Sequence, residues 1–185
     1  MAIFELVIKS FYFMLPVYFA NMAPVFLAKI PYFKELNAPM DFGKEIGKKR
    51  VLGSHKTWRG FIGAIIAAII VVFVQKALMA YGFFSSISLV DYGSANLVLF
   101  GFLLGFGAMA GDAVKSFFKR RIDIGPGQSW PFFDQVDYII GALLFVSIIY
   151  RPPLDVVITV FIITPILNIL TNALGYFLKL KEVWW

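Results

Sequence analysis

Between Gly111 and Asp137 the carboxylates Asp112, Asp134 and Asp137 lie close to a run of polar and cationic residues, Lys115, Ser116, Lys119, Arg120 and Arg121, with Asp123 in the loop between. On a helix, Lys115, Ser116 and Lys119 follow Asp112 at offsets of three, four and seven and share its face. Pro131 suits the first position of a further helix, which sets Asp134 and Asp137 on one face of its first two turns. Carboxylates held where water is scarce cost several kcal/mol each unless protonated, paired or bound to a cation. One divalent ion satisfies several at once, and an oxygen donor set without Cys favours Mg²⁺ or Mn²⁺ over zinc. Lys115, Lys119, Arg120 and Arg121 suit phosphate groups, and Gly125-Pro126-Gly127 forms a loop whose backbone can approach an anion. The simpler alternative makes Arg120 and Arg121 topology markers and pairs Asp112 with Lys115 or Lys119 as a structural ion pair. It leaves Asp134 and Asp137 without a purpose, and acids within a membrane are by default functional.

A second motif, Gly53-Ser-His-Lys-Thr-Trp-Arg-Gly60, sets Lys56, Thr57 and Arg59 at a helix start, where free amides favour anions. Its spacing is not that of a P-loop and no strand precedes it. An interfacial anchor with Trp58 among lipid headgroups is an equally good reading of these residues. His55 reads as a loop residue. Asn21 and Pro24 interrupt an apolar run, as Asn168 and Asn172 do further on, and buried amides commonly tie membrane helices together. Asn21 is also a candidate substrate contact.

These residues must be positioned by apolar elements, because 60% of the 185 residues are hydrophobic, 18% aromatic and only 15% charged. Such a composition, with a mean hydropathy of +0.81, describes an integral membrane protein. The formal charge of +6 gathers in connecting segments, so it marks topology and anion sites and not a nucleic-acid partner. With no cysteine and one histidine, disulfides and thiolate metal sites are excluded and a zinc site is disfavoured.

A membrane-spanning helix needs about 20 mainly apolar residues. Five segments meet that need: Leu6 to Ile30, Gly60 to Tyr81, Ser94 to Phe118, Pro131 to Tyr150 and Leu154 to Leu178. The first is expected to kink at Pro16 or Pro24. The fold expected is all-α and polytopic, a single transmembrane domain over residues 1–185 with cytoplasmic segments at about 31–59 and 119–130. The cations Lys34, Lys44, Lys48, Lys49 and Arg50 in the first segment, with Lys179 and Lys181 at the far end, orient the N-terminus outside and the C-terminus inside. Two small-residue stripes, Gly60-Gly63-Ala64-Ala67-Ala68 and Gly101-Gly105-Ala108, predict close helix contacts, and the second runs on to Asp112.

The run Ser116-Phe117-Phe118-Lys119-Arg120, then Gly125-Pro126-Gly127 and Asp134-Gln135-Val136-Asp137, resembles the signature of the integral membrane CTP-dependent phosphatidate cytidylyltransferases. Gly111-Asp112 and Lys56-Thr57-Trp58-Arg59-Gly60 look more like the small archaeal branch of that family, the CDP-archaeol synthases. The likeness runs from about Asn21 to Asp137. The bacterial and eukaryotic pattern has a longer connection containing Lys-Asp and His-Gly-Gly, and an arginine where Gln135 stands. Those departures fit the archaeal branch and bear on the lipid substrate more than on the reaction.

The resemblance implies Mg²⁺-dependent transfer of CMP from CTP to an isoprenoid ether glycerol phosphate in the cell membrane, with the site facing the cytoplasm. It implies that Asp112, Asp134 and Asp137 hold the metal and that Lys119 assists catalysis. Lys56, Thr57, Arg59, Lys115, Ser116, Arg120, Arg121, Gly125, Gly127 and Asn21 become candidates for the nucleotide and lipid phosphates. Two other functions use similar residues: a CTP-dependent polyprenol or lipid kinase, and an ion transporter lined by aspartates.

Overall fold

The computed structural model describes residues 2–30, 32 and 34–177. Helix α1 (Ile3–Ala28) runs unbroken through Pro16 and Pro24, and α2 (Trp58–Leu78) follows a connection holding a short 3₁₀ turn and a two-stranded hairpin, β1 (Glu45–Ile46) and β2 (Lys49–Arg50). Then come a six-residue helix α3 (Gly82–Ile87), the long α4 (Leu97–Arg121), α5 (Phe133–Val146) and α6 (Leu154–Phe177).

Helix starts follow local chemistry. The Thr57 side chain caps α2 by accepting from the Gly60 N–H at 3.3 Å, and Asn96 caps α4 by accepting from the Leu99 N–H at 3.0 Å. Lys119, Arg120 and Arg121 close α4, where cations complement the negative end of the helix dipole.

Among the described residues, four helices, α1, α2, α4 and α6, are long and apolar enough to cross a membrane. The expected fourth span is only 14 residues in α5, which at 1.5 Å per residue is about 21 Å, short of a hydrocarbon core of about 30 Å. It starts at Phe133 and not at Pro131. Phe132 takes a left-handed backbone, φ +68°, and Pro131 lies in the turn before it, where the Phe133 N–H donates to its carbonyl at 2.9 Å. Asp134 and Asp137 keep the expected spacing on one helical face. The helix expected through Leu178 ends outside the described residues, where Lys179 and Lys181 also lie.

Glycine sets how near the helices approach. A Cβ on Gly101 would stand 2.7 Å from the Ile69 Cα, and one on Gly105 2.8 Å from the Ile65 Cα, so the predicted α4 stripe packs on α2. The α2 stripe divides: Gly60 and Gly63 admit Pro24 and Leu27 of α1, while Ala68 meets α4. A crossing absent from the sequence reading joins α4 to α5, where a Cβ on Gly107 would come 2.5 Å from the Gly141 carbonyl oxygen. Gly111 and Gly141 lie in the same contact. Far from these, Gln75 is buried and donates to the Tyr12 carbonyl at 2.6 Å while accepting from the Tyr92 hydroxyl at 2.9 Å, which joins α1, α2 and the α3–α4 link.

The connection before α2 is organised by Asp41. One carboxylate oxygen accepts from Arg50 and the Gly43 N–H, and the other accepts from the Leu52 and Gly53 N–H groups at 3.1 and 3.0 Å. Burial opposes the charge, but Arg50 and the three amides outweigh it and hold the Asp41 carboxyl below the usual carboxylate range. Gly47 and Lys48 at the hairpin tip both have positive φ, as a tight two-residue turn requires. The Met40 N–H donates to the Lys56 carbonyl at 2.7 Å and the Trp58 N–H to the Ala38 carbonyl at 3.1 Å, which fixes Lys56 at the mouth of α2.

Two outcomes follow for the folded protein. Gly141→Val drives a side chain into the α4 backbone and should lower the melting temperature in detergent, at a cost of about 3 kcal/mol, whereas Gly82→Ala, with open space around it, should leave it unchanged. Asp41→Asn should expose the hairpin lysines to trypsin, with a loss of about 2 kcal/mol locally. Because the folded carboxyl titrates low, this support is present above the value of a free aspartate and fades as pH falls through the depressed one.

Candidate active site

Helices α2, α4 and α5 bring the three aspartates together with three lysines. Lys56, just ahead of α2, forms an ion pair with Asp112 Oδ2. Lys115 lies one turn after Asp112, and its Nζ is 3.2 Å from Asp112 Oδ1, 2.9 Å from Asp134 Oδ1 and 2.8 Å from Asp137 Oδ2. Lys119, a further turn on, is 3.2 Å from both oxygens of Asp134 and donates to the Gln128 carbonyl at 2.5 Å. The offsets read from the sequence thus place these groups as expected, and the glycine crossing of α4 on α5 is what brings Asp134 and Asp137 within reach.

The cluster backs onto a cavity of about 1040 Å³. Lys56, Asp112 and Asp134 form part of its wall, with Thr57, Arg59, Gly127 and Asn21 of the expected residues. Pro24, Val25 and Ala28 of α1 and Ile169 of α6 supply an apolar side. Thr57 lines the cavity while its hydroxyl oxygen caps α2. Arg59 donates to the Ile30 and Tyr32 carbonyls at 3.2 and 3.4 Å, tying the end of α1 to the start of α2.

Other expected residues lie apart from the wall. Ser116 is buried behind it. Arg121 is spent on structure: it donates to the Ile46, Lys49 and Arg50 carbonyls and stacks its guanidinium 4.8 Å over Phe117, pinning the hairpin to the end of α4. Arg120 lies against Gly53, whose φ of +110° admits no other residue without strain, and its Nε has no hydrogen-bond partner among the described residues. The Gly125 N–H is taken by the Gln128 side chain at 2.6 Å, so of the two loop glycines only Gly127 faces the cavity.

The cavity also gathers residues that sequence reasoning passed over or ranked low. His55 is exposed on its wall beside Ser54, and Gln128, Ser129 and Gln135 join from the α4–α5 connection and α5. Asn168 donates to the Asp134 carbonyl at 3.4 Å and accepts from Asn172 at 2.9 Å, so α6 reaches the cluster through amides. Two amides four apart in an apolar helix were the available signal.

The donor chemistry suits a hard divalent cation. Three carboxylates converge on one point, and the Asp137 side chain, only 6% exposed, has the Lys115 ammonium as its ion-pair partner among the described residues. That point holds the Lys115 ammonium, and among the described residues no three acidic or histidine side chains close to metal-ligand distance on their own. Asp112, Asp134 and Asp137 are the residues able to hold such an ion, with the ammonium moved aside.

Known proteins place this arrangement. Residues 3–185 match the family described as CarS-like, CDP-archaeol synthase. The CDP-archaeol synthase of Methanocaldococcus jannaschii is 34% identical over 184 residues, covering 98% of this chain and 99% of the relative. That of Methanopyrus kandleri is 39% identical over 180 residues, covering 96% and 92%. A solved structure described as an intramembrane enzyme for archaeal membrane lipids biosynthesis superposes with a TM-score of 0.69 at 27% identity, covering 87% of this chain and 90% of that one. With its apolar helices, its charged cavity and this likeness along nearly its whole length, the chain belongs to the CDP-archaeol synthase family of multi-pass membrane enzymes and is a cytidylyltransferase.

Proposed function

We propose that the chain transfers the cytidylyl group of CTP to 2,3-bis-O-geranylgeranyl-glycerol 1-phosphate, forming a CDP-activated archaeal lipid and pyrophosphate for membrane phospholipid synthesis. The observation that carries the reading is a cavity with Lys56, Arg59, Asp112 and Asp134 in its wall and apolar residues of α1 and α6 on another side. A triphosphate meets the charged wall, and a lipid phosphate enters with its prenyl chains kept in the bilayer. The relatives' shared name, CDP-archaeol synthase, supports the product class.

In this reaction an oxygen of the lipid phosphate forms a bond to the α-phosphorus of CTP. The bond from that phosphorus to the oxygen bridging the β-phosphate breaks in line, and pyrophosphate leaves with the electron pair. The attacking phosphate is already ionised, so no protein nucleophile or general base is required. Catalysis then rests on positioning and on neutralising charge. In this reading Lys56, on the cavity wall, meets phosphate oxygens, Lys119 assists by steadying Asp134, and the Arg120 guanidinium adds charge beside the Gly53 loop. Thr57 offers its hydroxyl proton to the cavity, since its oxygen is the atom used by the cap. Asp112, Asp134 and Asp137 would hold Mg²⁺, which when bound supplies charge neutralisation for the triphosphate.

The same proposal orients the chain in the cell membrane as one transmembrane unit over residues 1–185. The N-terminus lies outside, the C-terminus inside, and segments near 31–59 and 119–130 lie on the cytoplasmic side, where CTP is available. The clustering of Lys44, Lys48, Lys49 and Arg50 beside the end of α4 supports this. α5 is the fifth crossing, completed by its non-helical flanks.

The deciding assay gives the purified protein α-³²P- and, separately, γ-³²P-labelled CTP with Mg²⁺ and the ether lipid phosphate. Label from the α position alone should reach the lipid. Label from the γ position would mean a kinase, and if neither moves the next measurement is ion flux in vesicles. Asp134→Asn and Asp137→Asn should each lower turnover by at least about a hundredfold while the protein remains extractable and monodisperse; substantial activity in both would remove them from the metal site.

A further inference from the structure

The cluster contains three carboxylates, Asp112, Asp134 and Asp137, and three ammonium groups, Lys56, Lys115 and Lys119. It is formally neutral. Lys115 differs from the other two lysines in touching all three carboxylates, and its side chain is 13% exposed. Asp137 has the least exposed side chain of these three aspartates, and the Lys115 ammonium is its ion-pair partner among the described residues. Removing one partner of such a buried pair leaves an uncompensated charge.

We infer that the Lys115 ammonium is an internal cation that competes with the divalent ion for Asp112, Asp134 and Asp137 and is handed over to a phosphate oxygen when metal and nucleotide enter together. The inference deepens the cytidylyl-transfer reading and rests on it for the identity of the nucleotide. A divalent ion added alone to a neutral, poorly hydrated cluster leaves two positive charges uncompensated. A triphosphate brings the negative charge that offsets them and an acceptor for the displaced ammonium. Lys115 has the flexible four-carbon stem that such a move requires, and Asp112 and Asp134, which reach the cavity wall, give it a short route. Metal and nucleotide binding are therefore coupled through one side chain: without nucleotide the site is held closed to metal by its own lysine.

The test reads metal uptake without turnover. Purified protein in detergent is titrated with Mn²⁺ and no nucleotide, and free Mn²⁺ is followed by electron paramagnetic resonance. The wild type should leave the free signal almost unchanged at Mn²⁺ concentrations that support its activity. Lys115→Met and Lys115→Gln should each take up one Mn²⁺ at least about tenfold more tightly than the wild type, because a buried negative charge is left to be compensated. The gain should vanish in Lys115→Met combined with Asp137→Asn. Equal or weaker uptake by both variants overturns the inference, and so does stoichiometric uptake by the wild type alone, a result that needs no variant to fold. If the wild type transfers α label to lipid but the Mn²⁺ shifts are missing, the competition falls and the reaction stands. If the shifts appear but no label moves, the reaction assignment falls instead.

Discussion

Charge compensation at the junction of α2, α4 and α5 is the constraint around which the rest of the molecule is arranged. Six ionised groups taken out of water are costly one by one, and their desolvation is offset only when each finds a partner at close range. Asp112 is held by Lys56 from the connection ahead of α2 and by Lys115 one turn along its own helix, Asp134 by Lys115 and Lys119 of α4, and Asp137 pairs with Lys115. Each pair crosses an element boundary or a helical turn, so the helices cannot slide past one another without uncovering a charge. The site and the registration of the bundle are enforced by the same contacts.

Close backbone approach is what lets those contacts form. Lys115 and Lys119 stand on α4 and Asp134 and Asp137 on α5, and a side chain at Gly107, Gly111 or Gly141 would push the two helices apart. In lipid there is no hydrophobic gain in bringing helices together, so packing of small residues must supply the attraction. Neutralised carboxylates and bare glycines are two parts of one crossing: the first needs the helices near, and the second permits it.

Much of this was legible in the sequence because the rules involved are local. The offsets from Asp112 to Lys115 and Lys119, and from Asp134 to Asp137, determine faces on a helix whatever it packs against. The Gly101 and Gly105 stripe likewise announced a close helix contact, and the structure gives α2 as the partner. What stayed hidden was non-local. Nothing in the spacing of Arg121 separates a phosphate ligand from a clamp on the hairpin carbonyls, because the hairpin register, Glu45 with Arg50 and Ile46 with Lys49, decides it. Asp41 sits in an unremarkable loop, and its role depends on amides ten or more residues away. Pro131 misled because a favourable first-turn residue is only a preference, and the left-handed Phe132 moved the helix start two residues on.

That late start has a consequence for the depth of the site. In the proposed five-crossing topology, with only about 21 Å of helix in α5, residues ahead of Phe133 run non-helical close to or within the apolar layer, where each unpaired backbone group is expensive. Irregular backbone is tolerated there when it is buried in protein or lines a polar cavity, and here Gly127, Gln128, Ser129 and Pro131 line one. The local backbone is satisfied by the side chains around it. Lys119 takes the Gln128 carbonyl, the Gln128 amide oxygen takes the Gly125 N–H, and Asp134 takes the Trp130 N–H at 2.5 Å. Two of those three side chains also belong to the charged cluster. Asp134 on the cavity wall and Lys119 buried beside it therefore hold the irregular segment that lines the cavity, so shortening the helix and building the site are one structural event.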